Sequence, residues 1–553
     1  MAVRVGLLSG MIERYRLAVP FAFPGASVSL SPMTTPDFTS PEAPSPEELA
    51  RIADAADVLE AIIADRGVLV HLTDEVRHRL LNAAGKVYAP DAFQRRQLVK
   101  AAARKRKAEK VHVEESLLSS TGIRVARTRP GAATPNYFLL NPVEPEDVDD
   151  DPDFREAIEP QNCYVCKQDY TAVHHFYDQL CPSCAEFNFV KRTELADLSG
   201  RVALLTGGRV KIGYQAGLKM LRAGARLIVT TRFPRDSAMR YAQEPDFADW
   251  SDRLEIVGLD LRHTPSVEAL CHRLLTESDR LDYIISNACQ TVRRPPDFYR
   301  HMMAAELGSL KELPAAARKL LHPLEGMRES KALAASTDGL PKFEELLTEV
   351  PGLTHAAALS QVPLLAEELL GQSHLFPEGE LDLDMQQVDL RGRNSWRLHL
   401  HEVSTVELLE VQLVNAVAPF VLNARLRPLM NRTPNRDKHI VNVSAVEGQF
   451  YRRFKTTRHP HTNMAKAALN MMTRTAAADY VKDGIHMNSV DTGWVTDEDP
   501  VEIAAAKTAE HRFHPPLDII DGAARIVDPI IDGMNSGTHV WGQFLKDYRS
   551  VDW

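Results

Sequence analysis

The sequence predicts an α/β fold built on a doubly wound parallel sheet. Residues 201–216 combine a short apolar run, a glycine turn and the start of a helix. Residues 200–295 read as the first half of such a sheet, and residues 406–553 supply the rest. The two halves are separated by a mostly helical insertion, residues 296–405. Strands that alternate with helices in this way are typical of parallel sheets.

The N-terminal part is predicted to be a leader followed by helices. Residues 1–45 are rich in Pro, Ser, Thr and Ala, a composition typical of flexible chain. Residues 46–150 are predicted to be a helical region that ends in an acidic linker. Ser45 and Pro46 form a helix start signal, and apolar residues from Ile52 onward repeat at helical spacing.

A basic run, Arg104–Lys107, lies near the end of the predicted N-terminal helices. It could contact nucleic acid, but a solvated helix end explains it more simply, since cations are favoured near a helix C-terminus. The net charge of the whole chain is −10, which gives no reason to expect general nucleic-acid binding. Nucleic acid is therefore the least favoured class of partner.

Four of the six cysteines form two CxxC pairs within residues 160–192. Fourteen residues separate the pairs, which are Cys163 with Cys166 and Cys181 with Cys184. Two tight turns that each present two thiolates suit tetrahedral zinc. With all four positions taken by protein, the metal is predicted to be structural, and a redox role of the CxxC pairs is the competing interpretation.

Residues 202–213 predict an anion site. Val202–Leu205 reads as a buried strand, Thr206-Gly207-Gly208 as a tight turn, and Ile212-Gly213 as the start of a helix. The N–H groups at a helix N-terminus point outward, and the helix dipole favours negative charge there. A dinucleotide pyrophosphate is the usual occupant of this arrangement.

From this point on, the chain resembles the short-chain dehydrogenase/reductase family in eight places. These are Thr206-Gly207…Gly213 (the cofactor turn), Val229–Arg232 (the end of the second strand), Asp260-Leu261 (the pair at the adenine), Ser286-Asn287-Ala288-Cys289 (the NNAG strand end), Asn415 (the helix asparagine), Val441–Ser444 (the serine strand), Lys466 within Asn463–Leu469 (the YxxxK lysine) and Asn488–Thr496 (the NxVxPGxVxT segment). The resemblance implies a Rossmann-like domain over residues 200–553, a nicotinamide dinucleotide cofactor and oxidoreductase activity. It implies cofactor contacts from Thr206, Gly207, Arg209, Lys211, Ile212, Gly213, Arg232, Asp260, Leu261, Asn287, Ala288, Lys466 and Thr496.

Two departures from the family turn bear on the choice of cofactor. Lys211 stands where the family has its middle glycine, and Arg209 adds a second cation nearby. An acid at the end of the second strand would bind the ribose of NAD, but this chain has Thr231-Arg232 there. An arginine suits a 2′-phosphate, so NADP(H) is predicted over NAD(H). A solvent-facing role of Arg232 is the alternative.

The resemblance assigns catalytic roles to three side chains. Ser444 would polarise the substrate oxygen, Lys466 would hold the ribose hydroxyls, and Asn415 would support a water chain behind Lys466. The family tyrosine four residues before the lysine is missing, and Thr462 stands in its place. A threonine hydroxyl is a poor acid and base near neutral pH, so the usual proton relay cannot run unchanged.

Three explanations for the missing tyrosine remain open. Tyr451, seven residues after Ser444, could supply its phenol. His459 or His461 could act instead, because imidazole titrates in a useful range. The third explanation is a site that binds cofactor without reducing anything. That case would make the chain a catalytically silent NADP-binding regulatory or scaffold protein, acting through the zinc module and the insertion.

The substrate side of the site offers weaker signals. The insertion is predicted to emerge beyond the strand C-termini, where substrates of open parallel sheets bind, although a scaffold or oligomer-contact role is equally open. The loop 449–461 carries several cations, which suits an anionic small-molecule substrate or a solvated loop. Apolar residues make up 44% of the chain, as in soluble globular proteins.

The expected location and assembly follow from the same observations. No membrane span and no signal peptide are expected, and paired thiols suit a reducing, cytoplasmic location. The family resemblance implies a homo-oligomer, a dimer or a tetramer. The predicted activity is NADP(H)-dependent hydride transfer to or from a carbonyl or alcohol.

Overall fold

The computed structural model describes residues 45–90, 92–127, 156–323, 325, 353, 355–382, 386–452, 455–500, 503–504, 506–508 and 514–553. The predicted leader, apart from Ser45, and the predicted acidic linker lie outside these ranges. The chain divides into two compact units, one that ends at Arg104 and one that begins at Lys105.

The second unit is built on an eight-stranded sheet, which follows a separate two-stranded hairpin. The hairpin strands are β1 (Glu156–Asn162) and β2 (Asp169–Ala172), and the sheet strands are β3 (Val202–Thr206), β4 (Arg226–Thr231), β5 (Leu254–Gly258), β6 (Tyr283–Ser286), β7 (Lys438–Ser444), β8 (Ile485–Asp491), β9 (Phe544–Lys546) and β10 (Arg549–Val551). The spatial order is β5-β4-β3-β6-β7-β8-β9-β10. Every neighbouring pair is parallel except β9 with β10.

This order confirms the doubly wound prediction. From β3 the chain first adds β4 and β5 on one side and then returns to add β6 on the other. The strand order therefore reverses between β3 and β6. In open α/β sheets, ligands bind in the crevice at such a reversal, beyond the carboxyl ends of the strands.

Helices cover both faces of the sheet. The α-helices of the described chain are α1 (Pro46–Ala64), α2 (Asp74–Tyr88), α3 (Ala92–Ser119), α4 (Gly122–Arg127), α5 (Pro182–Thr193), α6 (Lys211–Arg222), α7 (Pro234–Tyr241), α8 (Phe247–Trp250), α9 (Thr264–Glu277), α10 (Pro296–Leu307), α11 (Ala315–Leu320), α12 (Ala356–Ser360), α13 (Thr405–Gln412), α14 (Ala418–Met430), α15 (Pro460–Tyr480) and α16 (Ile519–Ser536). Helices α6 and α16 pack together on one side of the sheet, and α9 and α14 pack together on the other.

The alternation of side chains along β3 divides the core into two layers. Leu205 is fully buried in the cluster that contains Ile526 of α16, whereas Leu204 is fully buried in the cluster that contains Leu422 of α14. Successive strand residues point to opposite faces, so an uninterrupted apolar run is what a strand covered on both sides requires. Each such leucine contributes about 1.5–3 kcal/mol by burial.

The described part of the first unit is helical, and two of its helices have defined starts. The hydroxyl of Ser45 accepts the backbone N–H of Glu48, and the Glu48 carboxylate accepts the backbone N–H of Ser45 at 2.9 Å. This reciprocal capping box begins α1 at Pro46. The hydroxyl of Thr73 caps α2 in the same region of the chain. No residue of α1 or α2 is buried.

The insertion is α-helical in its first described part and largely irregular in its second. Its described first part contains α10, α11 and α12, but the described residues between 361 and 404 form short 3-10 turns and irregular chain. Gly371 and Gly379 have positive φ angles of 69° and 87°, and Pro363 and Pro377 lie close by. These residues interrupt α-helix even though the composition favours it.

One segment of the described chain, Thr405–Met430, has the length and apolarity of a membrane-crossing helix. It comprises α13, a five-residue π-helical turn at Leu413–Val417, and α14. Leu422, Leu426 and Leu429 of this segment are buried in the core beneath the sheet. Core helices of globular domains meet the same length and composition criteria.

Candidate functional site

The turn between β3 and α6 forms the centre of the site. The backbone N–H of Gly207 donates to the carbonyl of Thr230 on the neighbouring strand at 2.8 Å, which fixes the turn against the sheet. Gly207 has a φ of 69°, a conformation that glycine adopts freely. Helix α6 then begins at Lys211, and its N-cap residue Val210 makes no side-chain cap hydrogen bond. A helix N-terminus at the end of a strand favours a bound anion.

The turn leaves no space for side chains at two glycines. A Cβ on Gly207 would lie 2.9 Å from Cα of Ala288. A Cβ on Gly213 would overlap both the carbonyl oxygen of Gly207 and the side-chain nitrogen of Asn287. Nδ2 of Asn287 donates to the carbonyls of Thr206 and Gly207 at 3.1 and 3.2 Å. The end of β6 is thus tied to the end of β3.

Lys211 retains a glycine-like backbone despite its side chain. Its φ is 54°, which is in the left-handed region. A non-glycine residue is strained there by about 1–2 kcal/mol. Burial opposes ionisation of the Glu498 carboxyl, but nearby Lys211 and the Thr496 hydroxyl outweigh burial and keep its pKa below the usual 4.5. The cation predicted at the pyrophosphate therefore has an acid near it in this conformation.

At the end of β4, Arg232 meets a tyrosine from the insertion. The Arg232 guanidinium donates to the Tyr299 hydroxyl at 2.7 Å and lies over the Tyr299 ring. Burial opposes ionisation of Tyr299, but the guanidinium groups of Arg232, Arg209 and Arg294 outweigh burial and lower its pKa below 10. Arg209 is buried and forms an ion pair with Asp236 at 2.7 Å. Positive charge is concentrated at this end of the crevice.

At the end of β5, Asp260 is paired within the protein. Arg262 donates to both carboxylate oxygens of Asp260, with a shortest distance of 2.7 Å. Burial acts to raise the pKa of Asp260, but the contact with Arg262 keeps it below its usual value. Arg262 also bonds Glu410 of α13 at 2.8 Å. An adenine contact of Asp260, which the resemblance implies, would share this carboxylate with Arg262.

These groups line one continuous groove of about 350 Å³. The groove collects eleven of the predicted cofactor residues: Gly207, Arg209, Lys211, Ile212, Gly213, Arg232, Asp260, Leu261, Asn287, Ala288 and Thr496. Thr206 lies directly behind it, where its hydroxyl accepts the backbone N–H of Ala288 at 3.0 Å. Arg235, a second arginine shortly after β4, does not line the groove. It is completely buried and donates to the carbonyls of Ala305 and Gly308 at the end of α10.

Ser444, Lys466 and Asn415 are each buried with a polar partner, and none of them is among the residues that line the groove. The Ser444 hydroxyl donates to Oδ1 of Asn470 at 2.6 Å, and Nζ of Lys466 donates to the carbonyl of Val443 at 2.8 Å. Asn415 lies in the π-helical turn between α13 and α14. Its side-chain oxygen accepts the backbone N–H of Gln290 at 2.8 Å. Single π-helical turns of this kind are frequent at functional sites.

The position of the missing tyrosine is filled by a small buried side chain. Thr462 is only 3% exposed, and its hydroxyl has no hydrogen-bond partner among the described residues. Tyr451 lies on the loop after β7 and is 93% exposed. His459 stacks on Trp396 with ring centroids 3.8 Å apart, and burial lowers its pKa to about 4. His461 faces Glu407 of α13 at 3.3 Å.

The four cysteines converge in the segment that surrounds the β1-β2 hairpin and the start of α5. Their sulfur atoms all lie within 4.8 Å of one another, and Sγ of Cys166 and Sγ of Cys181 are 3.6 Å apart. Tetrahedral coordination with Zn–S bonds of about 2.3 Å places sulfur atoms at comparable separations. The donor set therefore fits a closed zinc site.

The cysteine segment packs directly against the segment that follows β8. Cys163 and Cys181 share a buried cluster with Val495 and Leu517. The hydroxyl of Tyr164, between the first two cysteines, accepts the backbone N–H of Trp494 at 3.0 Å. The cysteine segment thus supports the chain that leads to Thr496 in the groove.

Three site residues were not found from the sequence. Asn470 bonds Ser444 from one helical turn beyond Lys466, and Tyr299 reaches Arg232 from the insertion. Asp491 accepts the backbone N–H groups of Val446 and Gly493 at 2.7 and 2.8 Å, which joins the loops after β7 and β8. Burial raises the pKa of Asp491. Only Asn470 carried a usable signal, its i+4 spacing from Lys466 on one helix face.

Comparison with known proteins finds similarity to dehydrogenases and reductases. A family model described as enoyl-(acyl carrier protein) reductase matches residues 392–515. The uncharacterized protein R665 of Acanthamoeba polyphaga mimivirus is 29% identical over 409 residues, which cover 71% of this chain and 75% of that protein. Dehydrogenase/reductase SDR family member 13 of Bos taurus is 32% identical over 116 residues, 20% of this chain and 30% of the relative. Retinol dehydrogenase 14 of Mus musculus is 34% identical over 102 residues, 16% of this chain and 30% of the relative.

The two dehydrogenases are matched over less than a third of their own length. Among solved structures, a short-chain dehydrogenase/reductase from Burkholderia multivorans with bound NADP is 17% identical, covers 64% of this chain and 99% of its own, and has a TM-score of 0.36. At that score it adds nothing to the fold, which the strand order already establishes. The chain is thus similar in part to short-chain dehydrogenases and reductases, and the family match, residues 392–515, includes β7 and β8 of the eight-stranded sheet.

The packing at Gly213 makes a direct prediction. We expect Gly213→Ala to weaken NADPH binding by about ten- to a hundredfold, because the new methyl group would push the Gly207 carbonyl and Asn287 apart. Fluorescence titration with NADPH measures the effect. Gly85→Ala on α2, where nothing lies within 4 Å of the new Cβ, is the control. An unchanged Kd in Gly213→Ala would contradict this account of the turn.

Proposed function

We propose that this protein is an NADP(H)-dependent oxidoreductase that transfers a hydride between the cofactor and a carbonyl or alcohol. The groove at the strand-order reversal carries the proposal. It combines the N-terminus of α6, a turn with no space for side chains at two glycines, and arginines near the end of β4. The Ser444 and Lys466 pair lies on β7 and α15, beyond the same edge of the sheet.

The choice of NADP over NAD rests on Arg232 and its surroundings. A 2′-phosphate at the end of β4 would meet the Arg232 guanidinium, which Tyr299 already orients. Arg209 lies over the Phe233 ring close by, where it forms an ion pair with Asp236. The structure offers no carboxylate at the end of β4 to accept the ribose 2′-hydroxyl of NAD, since Thr231 and Arg232 occupy that place among the described residues.

Removal of the Arg232 guanidinium tests the cofactor assignment. We expect Arg232→Ala to raise the Kd of NADPH about ten- to a hundredfold and to change that of NADH little, because only NADPH loses a charge-assisted contact. Isothermal titration with both cofactors gives the ratio. Arg226→Ala, at the opposite end of β4 and largely exposed, is the matched control. Tighter binding of NADH by the unaltered protein would reject the assignment.

The proton in this reaction must come from an unusual donor. Lys466 and Ser444 can hold the ribose and the substrate oxygen, but Thr462 cannot replace a phenol. Tyr451 is the first candidate, because its loop begins directly after Ser444 and its phenol is free to move while exposed. His459 is the weaker candidate, because its lowered pKa leaves the imidazole neutral at physiological pH, without the extra proton that a donor gives up.

Removal of the Tyr451 hydroxyl tests whether Tyr451 is the proton donor. If Tyr451 donates the proton, Tyr451→Phe lowers turnover about 10²- to 10⁴-fold and leaves NADPH binding intact. Consumption of NADPH against a panel of carbonyl compounds measures turnover. Phe450→Leu, an exposed neighbour on the same loop, is the control. Equal turnover of Tyr451→Phe and the unaltered protein removes Tyr451 from the mechanism.

A catalytically silent, NADP-binding regulatory or scaffold protein is the second candidate. The buried, unpartnered Thr462 hydroxyl favours it, because this threonine stands where the family has the phenol and is a poor acid and base. Tight NADPH binding without oxidation of any carbonyl in the panel would support this candidate over the enzyme.

We further propose that Cys163, Cys166, Cys181 and Cys184 hold one structural zinc ion. The ion would link the β1-β2 hairpin to α5 and thereby stabilise the surface that supports Val495 and Leu517. A reducing compartment such as the cytoplasm would keep these thiols available.

Metal analysis checks the zinc proposal. We expect elemental analysis of the purified protein to find about one zinc per chain, and Cys181→Ser to lose most of it, since a missing thiolate opens the site. Cys289→Ser removes an exposed thiol outside the cluster and should retain the metal. Full zinc content in Cys181→Ser would contradict the assignment, and so would a metal-free native protein.

A further inference from the structure

A second cavity of about 440 Å³ borders the cofactor groove. The segment 494–499 runs between the two spaces. Trp494 and Asp499 line the second cavity, whereas Thr496 and Glu498 line the groove. Two further residues that line the cavity lie close in sequence to the predicted catalytic side chains. Glu447 follows Ser444 by three residues, and Asn463 precedes Lys466 by three.

The charges that line this cavity do not balance. Five basic residues and two acidic residues contribute, which gives a net charge of +3: Arg397, Arg452, Lys455, Arg458 and Lys507 against Glu447 and Asp499. The whole chain has a net charge of −10, so the cavity has the opposite sign to the protein around it. A cavity lined by one sign of charge concentrates ligands of the other sign.

The two acidic residues neutralise the side of the cavity near Asp499 more completely than the side formed by the loop after β7. Asp499 pairs with both Arg397 and Lys507. On the opposite side, Glu447 is the acid that faces the loop after β7, and it lies 3.3 Å from Arg452. Lys455 donates to the backbone carbonyl of Glu447. The loop therefore presents more positive charge than its single carboxylate can neutralise.

Three aromatic rings also line the cavity, those of Trp396, His459 and Trp494. Trp396 and His459 stack face to face with an interplanar angle of 2°. Burial lowers the pKa of His459 to about 4, so this stack adds no charge at neutral pH. Trp494 is 45% exposed, which is unusual for the largest apolar side chain. Flat aromatic surfaces of this kind suit a planar or apolar ligand.

We propose that this cavity binds an acidic substrate, whose planar or apolar body lies against the two tryptophans and whose carboxylate or phosphate is held by the loop cations. The inference rests on the proposed function, because it places the reducible carbonyl of the same molecule toward Ser444. Lys455 and Arg458 are the residues that set specificity for the acid group. Their charge-assisted hydrogen bonds discriminate an acid from its neutral ester.

Tryptophan fluorescence tests this proposal without turnover. The chain contains only five tryptophans, two of which line the cavity. With NADP⁺ present, we expect benzoylformate to quench the emission with a Kd at least about tenfold below that of its methyl ester. Lys455→Gln and Arg458→Gln should each weaken benzoylformate about tenfold and leave ester and NADPH affinities unchanged. Lys482→Gln, at an exposed position after α15, is the control.

Three results would overturn the proposal that the cavity binds an acidic substrate. Equal affinity of acid and ester, loss of no affinity in either variant, or failure of every probe to bind overturns the proposal. A parallel titration with phenyl phosphate shows whether the acid group is a carboxylate or a phosphate, according to which probe binds more tightly. Charge-dependent binding without NADPH oxidation of benzoylformate supports this proposal and counts against the oxidoreductase activity itself. Unchanged NADPH binding in both variants excludes misfolding as the cause.

Discussion

The site depends on the close approach of the α6 start to the ends of β3 and β6. The Asn287 amide bridges the carbonyls of Thr206 and Gly207, and Gly213 fills the remaining space with backbone alone. Two strands and a helix are thereby held with their polar ends toward one crevice. Every other part of the groove is positioned relative to this contact.

The electrostatics of the groove follow from elements that lie far apart in the chain. Positive charge near the end of β4 comes from Arg232, which Tyr299 of the insertion orients, whereas Arg209 after β3 is paired with Asp236. Near the end of β5, Arg262 is neutralised by Asp260 and Glu410. The net effect is an excess of positive charge where a 2′-phosphate would lie and near balance elsewhere.

Much of this arrangement could be predicted from the sequence, because its signals are local. A strand, a turn and a helix in order identify β3 and α6, and CxxC spacing identifies the four-cysteine cluster. Tyr299 could not be found, because its partner Arg232 is 67 residues away. Asp491 was also missed, since its role depends on how two loops meet across neighbouring strands. Long-range packing of this kind leaves no periodic or motif signal.

The support of the Trp494 backbone by Tyr164 has a practical consequence. The donor and the acceptor are 330 residues apart, and the same surface buries Val495, Leu517 and the fully buried ion pair of Arg192 with Asp521. A shortened chain that starts at residue 200 would keep the whole eight-stranded sheet. It would nevertheless uncover an apolar edge and remove Arg192, the ion-pair partner of Asp521, so we expect a stable fragment of this protein to begin upstream of the first cysteine.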